Sequence, residues 1–272
     1  MAEKLVFHIR NANPNDMCAV LNTLSAYPGL GTLQEIVESA GSMGFVIHDQ
    51  QRLEALITAR DLGLVEKDNN SLTDQGQILV EIERRIPDLF ANIIHALQYS
   101  LWSPITPDLN CFSWSYRSLC QILWRGDVVD IGNRRSIASE IEMQARQAFN
   151  YSKISFSSKS VGGAILWLSA LKPSVIYNRS NFFSRRTFCP PELMLIGIDF
   201  VYKESHLDYQ ANLLLDNGKV ENLCEFCLLE PDSFERVLSY TVNQFDFLNK
   251  GFGGGWGRFL NLYRAPSLED FT

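Results

Sequence analysis

The sequence predicts a mainly helical protein with small β hairpins, an α+β class, and three observations carry that expectation. Apolar residues recur at helical spacing in three successive short segments before residue 63. A strand, a turn and a return strand follow between residues 64 and 72. Helical periodicity then reappears in stretches as far as residue 247.

Asn15 or Asp16 caps a first helix with Met17, Val20, Leu21 and Leu24 on one face, and Tyr27-Pro28-Gly29 ends it. Thr32 caps a second, carrying Leu33, Ile36 and Val37, and Gly41 stops it. A third is expected over residues 49–62, with Leu53, Leu56 and Ile57 inward. Leu62-Gly63-Leu64-Val65-Glu66 then ends that helix and opens a strand, Lys67-Asp68-Asn69-Asn70-Ser71 supplies the turn, and Leu72-Thr73-Asp74-Gln75-Gly76 returns and caps a fourth helix.

That pattern resembles the winged helix-turn-helix superfamily over roughly residues 15–86. The resemblance implies a third helix that often enters the major groove and a wing that touches the backbone. In this chain the third helix carries Arg52 and Arg60 against Asp49, Glu54 and Asp61, a poor charge balance for reading DNA. A second copy is expected to follow, with helices over 88–102, 114–124 and 134–149, a wing strand at Ile154-Ser155-Phe156, and an apolar helix through Leu171. A plain helical bundle is the alternative. The division is therefore residues 1–86, a basic unit over 87–172, and an acidic helical or mixed unit over 173–272. In the last, helices are expected over 192–201 and 234–247, with a hairpin or turn between residues 213 and 220.

Charge divides the chain along different bounds. Lys and Arg against Asp and Glu number 7 and 14 over residues 1–116, 11 and 4 over 117–186, and 6 and 13 over 187–272, so the net charges are −7, +7 and −7. An electropositive middle suits an anionic partner, while solvated or internally paired arginines are the bland alternative. The expected nucleic-acid contacts are Arg117, Arg125, Asn133, Arg134, Arg135, Arg146, Lys153, Lys159, Arg185 and Arg186. The helix dipole assists the group at the start of the third helix of the second unit.

Catalytic patterns are missing from the sequence. None of His8, His48, His95 and His206 lies in a nucleophile elbow or a metalloprotease helix, and an enzyme is not expected. Cys224-Glu225-Phe226-Cys227 has the gap of a zinc or redox pair, but its partners Cys189 and His206 are remote in sequence, so packed thiols are expected and no metal or cofactor. The glycine-rich stretch from Gly251 to Arg258 lacks the Lys-Ser/Thr of a P-loop. It reads as a flexible surface loop, or one that orders on a partner with Trp256 as anchor, and Trp256 and Arg258 are the expected partner contacts. Trp102, Trp114, Tyr116 and Trp124 read as a seam between units.

Without an apolar run of about 18 residues or a signal-like start, a cytoplasmic protein without a membrane partner is expected. The reading that follows is a non-catalytic nucleic-acid-binding protein with a protein partner. In outline it resembles a bacterial regulator or a subunit of a DNA-targeting, for example defence, complex. A protein adaptor that docks through its wings is the alternative, and a homodimer is compatible with either.

Overall fold

The computed structural model describes residues 5–126, 128–150, 154–176, 181–255 and 257–272. Three helices open the chain: α1 (Pro14–Ala26), α2 (Leu33–Ser42) and α3 (Glu54–Asp61). Asn13 caps α1, accepting from the Asn15 amide, and Thr32 with Glu35 forms a reciprocal capping box on α2. The third helix starts five residues later than the periodicity suggested. The Asp49 carboxylate accepts from the amides of Arg52 and Glu54, which folds residues 49–53 into a turn, and the buried Leu53 takes a left-handed backbone at φ 49°. That turn is anchored from below. The Asp16 carboxylate, 1% exposed, accepts from the amides of His48 and Asp49.

The expected hairpin is present in minimal form. Val65 and Leu72 make one antiparallel bridge, flanked by Glu66 N–H to Ser71 O (2.9 Å) and Thr73 N–H to Leu64 O (3.1 Å). Thr73 caps α4 (Asp74–Arg85). A side chain at Gly76 would lie 2.1 Å from the Leu64 carbonyl oxygen, so the helix seats directly on the hairpin backbone.

Next come α5 (Pro87–Ser100), α6 (Cys111–Arg125), β1 (Val128–Asp130), α7 (Arg134–Phe149) and α8 (Ser158–Ala170). The α7 bounds coincide with the expected ones. The wing strand expected at 154–156 does not form: Ile154 and Phe156 are buried and Ser155 is exposed, but no backbone pairs with them among the described residues. The strand of this region instead precedes α7. β1 pairs antiparallel with β2 (Phe182–Ser184), Val129 opposite Phe183.

The remainder holds α9 (Pro191–Glu204), β3 (Asn212–Leu214), α10 (Asn217–Cys227), α11 (Phe234–Gln244), β4 (Leu248–Gly253) and β5 (Gly257–Leu262). The turn expected after Leu215 is a helix start, because the Asp216 side chain accepts from the Lys219 amide and caps α10. The glycine-rich stretch is a hairpin rather than a free loop. β5 lies between β3 and β4 in an antiparallel three-stranded sheet, and the Phe259 ring covers Gly251, where a side chain would lie 2.4 Å from it.

The chain is thus mainly helical with two small antiparallel sheets. Its buried apolar side chains, from Phe7 to Phe271, form one contiguous core. Contacts cross the expected boundaries throughout: the extended segment around Ile9 lies on α8, β1 pairs with β2, α5 packs on α9, and a short 3₁₀ turn (Leu268–Phe271) lies on α4. No helix among the described residues is long and apolar enough to cross a membrane.

Candidate nucleic-acid interface

The basic middle separates into interior and surface arginines. Arg117, expected at a nucleic-acid contact, is buried. Its Nε donates to Tyr99 O (3.2 Å) and Nη2 to Trp102 O (3.1 Å), Nη1 meets Glu204 (2.8 Å), and the guanidinium lies 4.7 Å from the Phe200 ring centroid. Arg186 is buried as well, with Nε donating to Cys227 O (2.7 Å) and Nη1 to Asn92 Oδ1 (2.9 Å). Neither presents its charge to solvent, because the long side chains run inward and find carbonyl acceptors there. Arg185 is half-buried, its Nε donating to Trp124 O (2.7 Å) and its guanidinium 4.5 Å from the Trp124 ring centroid. Arg125 is exposed and 3.8 Å from the buried Glu225 carboxylate.

The surface set gathers at two helix starts. Asn133 caps α7 by accepting from the Ser136 amide (3.2 Å), and Arg134 and Arg135 stand exposed in the first turn. Arg134 bridges to α8: its Nη1 lies 3.1 Å from where a Gly162 side chain would begin, so the glycine leaves room for the guanidinium. Lys159 is exposed in the first turn of α8, whose N-cap Ser157 makes no side-chain capping bond. Neither helix has an acid in its first turn, where the dipole favours one. No acid among the described residues pairs with Arg134, Arg135 or Lys159. Arg146, farther along α7, pairs with Glu142 at 2.5 Å. The nearest acid in sequence, Asp130, turns its carboxylate onto the Gly132 amide.

Two residues of the N-terminal segment reach this area without any signal in the linear sequence. His8 Nδ1 is 2.5 Å from the Ser160 Oγ of α8, and partial burial, then the charges of Arg10 and Lys159, hold the imidazole below its usual pKa. Arg10 itself faces the third helix, pairing with Asp61 (2.9 Å) and Glu54 (3.3 Å). Lys153 and Trp256 lie outside the described residues. Arg258, expected to bind a partner, is exposed and paired with Glu235.

The cysteines are all free thiols. Folding brings Cys189 to Cys227, as their spacing could not show, and the two thiols hydrogen-bond. Burial raises the Cys189 pKa, but the Cys227 hydrogen bond and the Arg186 charge outweigh it and bring the thiol below its ordinary value, while burial pushes Cys227 well up. No group of three metal-ligating side chains occurs among the described residues. His95, fully buried, lies 2.9 Å from Tyr116 Oη through Nδ1 and 2.8 Å from Phe226 O through Nε2. A neutral ring protonated at Nε2 satisfies both partners. Around the expected seam, Trp114 makes edge contacts with Phe7 of the N-terminal segment and Phe149 of α7.

Compared with known proteins, the chain matches no family model, no curated protein and no solved structure.

Proposed function

We propose that this protein binds nucleic acid, non-catalytically, through the face formed by the starts of α7 and α8. The observation that carries the reading is the set Arg134, Arg135 and Lys159. These cations are exposed, unpaired by any acid among the described residues, and set on two helix N-termini brought together where Arg134 crosses Gly162. Phosphate oxygens suit such a place, because free backbone N–H groups and fixed cations point the same way. Basic first turns work against a helix's own dipole, and a bound anion would offset that cost. Asn133 belongs to the same face as its cap.

The N-terminal unit supports a winged helix-turn-helix reading, on its order of three helices, the Val65–Leu72 bridge and α4. Its third helix is not the reader in this proposal, since Glu54 and Asp61 surround Arg10 there. A role as a regulator or as a subunit of a DNA-targeting complex rests on that fold analogy.

The test is fluorescence anisotropy with labelled duplex and single-stranded oligonucleotides at two salt concentrations. Wild type should bind and weaken with salt, and the triple variant Arg134→Glu/Arg135→Glu/Lys159→Glu should lose at least about tenfold in affinity. A folded wild-type protein that binds neither oligonucleotide at low salt would overturn the reading.

A further inference from the structure

A separate surface lies between α5 and α9. Along α5, Ile93, Ala96, Leu97 and Ser100 line it; along α9, Ile196, Asp199, Phe200 and Lys203 do. Both sets follow the spacing i, i+3, i+4, i+7, so each helix turns one full stripe toward the same trough. The trough has two neighbouring compartments of about 410 and 430 Å³ that share Ser100, Ile196, Asp199 and Lys203 in their lining. The loop at Trp102 to Ile105 walls one end and the 3₁₀ turn Leu268–Phe271 the other. Leu97, Ile196 and Phe200 are only half-buried, and Ile105 is 75% exposed at the rim.

We infer that this trough receives a helix of a protein partner, apolar on the inserted face and bearing Lys or Arg on its flanks. Two helical ridges at matched spacing leave a groove for the ridge of a third helix. Both walls have their backbone groups bonded within the helices, so an extended strand would find no ladder partner. Each lining stripe covers about 10 Å of helix axis, and with the end walls the length suits about three turns of an inserted helix.

Charge selects the flanks. Glu204 and Glu269 stand exposed at opposite ends, with Asp199 between them. Lys203 is the one lysine or arginine of the lining, and it already pairs with Asp199 at 2.6 Å, while the Tyr209 hydroxyl donates to the other Asp199 oxygen. Arg117 meets Glu204 from the interior side, and Glu269 has no ion pair among the described residues. In the lining itself Asp199, Glu204 and Glu269 outnumber Lys203. Basic flanks complement that field, and anionic ones are repelled.

The experiment uses the full chain and a fluorescein-labelled peptide of about 18 Leu and Lys residues, long enough to hold a helix, with leucines at i, i+3, i+4 and i+7. Two controls accompany it: a twin with Glu in place of Lys, and a scrambled sequence of equal charge. Wild type is expected to bind the Lys peptide at least about tenfold more tightly than either control at physiological salt. Ile105→Glu, at an exposed position that costs the core nothing, should lose about tenfold with an unchanged melting temperature. Ile196→Glu on the floor should also lose about tenfold, with a lower melting temperature because Ile196 packs against the core, and the triple variant of the α7–α8 face should bind the peptide like wild type. Equal affinity for the Lys and scrambled peptides, or full affinity in the folded Ile105→Glu variant, would overturn the proposal and leave the nucleic-acid reading untouched.

Discussion

Arg186 and Arg134 come from the same electropositive stretch, yet they occupy opposite physical situations. Around Arg186 the charge is interior: 4% of the residue is exposed, and its hydrogen-bond partners are the Cys227 carbonyl, the Asn92 amide oxygen and the Pro173 carbonyl. It ties α5, the 172–173 turn and the end of α10 together. Around Arg134 the charge is presented outward, over a glycine that leaves it space. Arg186 meets acceptors through Nε and Nη1 while its Nη2 is buried without a hydrogen-bond partner, and removing the side chain strands the acceptors it serves. An exposed cation costs the fold nearly nothing to lose. The comparison shows that a net charge of +7 is an upper bound on what a partner can feel, because the fold withdraws some of it for internal use.

The largest effect should come from Arg186→Met, which leaves buried oxygens at Cys227, Asn92 and Pro173 without a donor. We expect a loss of about 3 to 5 kcal/mol in urea denaturation. A loss as small as that of a surface substitution would erase the distinction between the two arginines.

Acid should act on the same interior next. Burial holds His95 down to a pKa of about 3, against 6.5 in an ordinary imidazole. Below pH 6.5 the unfolded chain takes up a proton that the folded ring refuses until about pH 3. Stability therefore falls as pH falls through that window, by at most about 1.4 kcal/mol per pH unit. Urea midpoints measured from pH 7 to pH 4 check this, and a flat profile would mean that His95 is not held neutral.

On the surface side, Arg135→Ala should leave stability within about 0.5 kcal/mol of wild type while lowering the salt slope of nucleic-acid binding by about 0.9. Arg146→Ala sharpens the contrast within one helix. Its charge is already matched by Glu142, so we expect a stability loss of about 0.3 to 0.5 kcal/mol and no measurable change in the salt slope. A slope change equal to that of Arg135→Ala would extend the binding face along α7.

Where local chemistry decides, the sequence is a good guide. The caps Thr32 and Thr73, the break at Gly63 and the whole of α7 follow from residues within a few positions of one another. The misreadings share a cause, which is a partner remote in sequence. Residues 49–53 have helical apolar spacing, but Asp16 holds the amides of His48 and Asp49 from another helix. The glycine-rich stretch reads as a loop until β3, some 40 residues earlier, supplies a sheet for β5 to join. Residues 154–156 alternate like a strand, yet no strand lies beside them among the described residues. Of the candidate interface, Asn133, Arg134, Arg135 and Lys159 were legible as a basic group. Gly162 as the space that Arg134 fills was not, nor was the inward turn of Arg117 and Arg186.

The contact between the N-terminal segment and α8 bears on how far the molecule is modular. At Gly163 a side chain would lie 2.4 Å from the Arg10 carbonyl oxygen, and Phe7, Ile9 and Ala12 are buried on either side of that crossing. Residues 5–12 thus act as a lid for a helix that begins some 150 positions later. A fragment cut at residue 87 would lose that lid and expose a glycine-floored trench on α8. Such a fragment is a natural host for reassembly, with a synthetic peptide of the N-terminal segment returned in trans to restore the missing face.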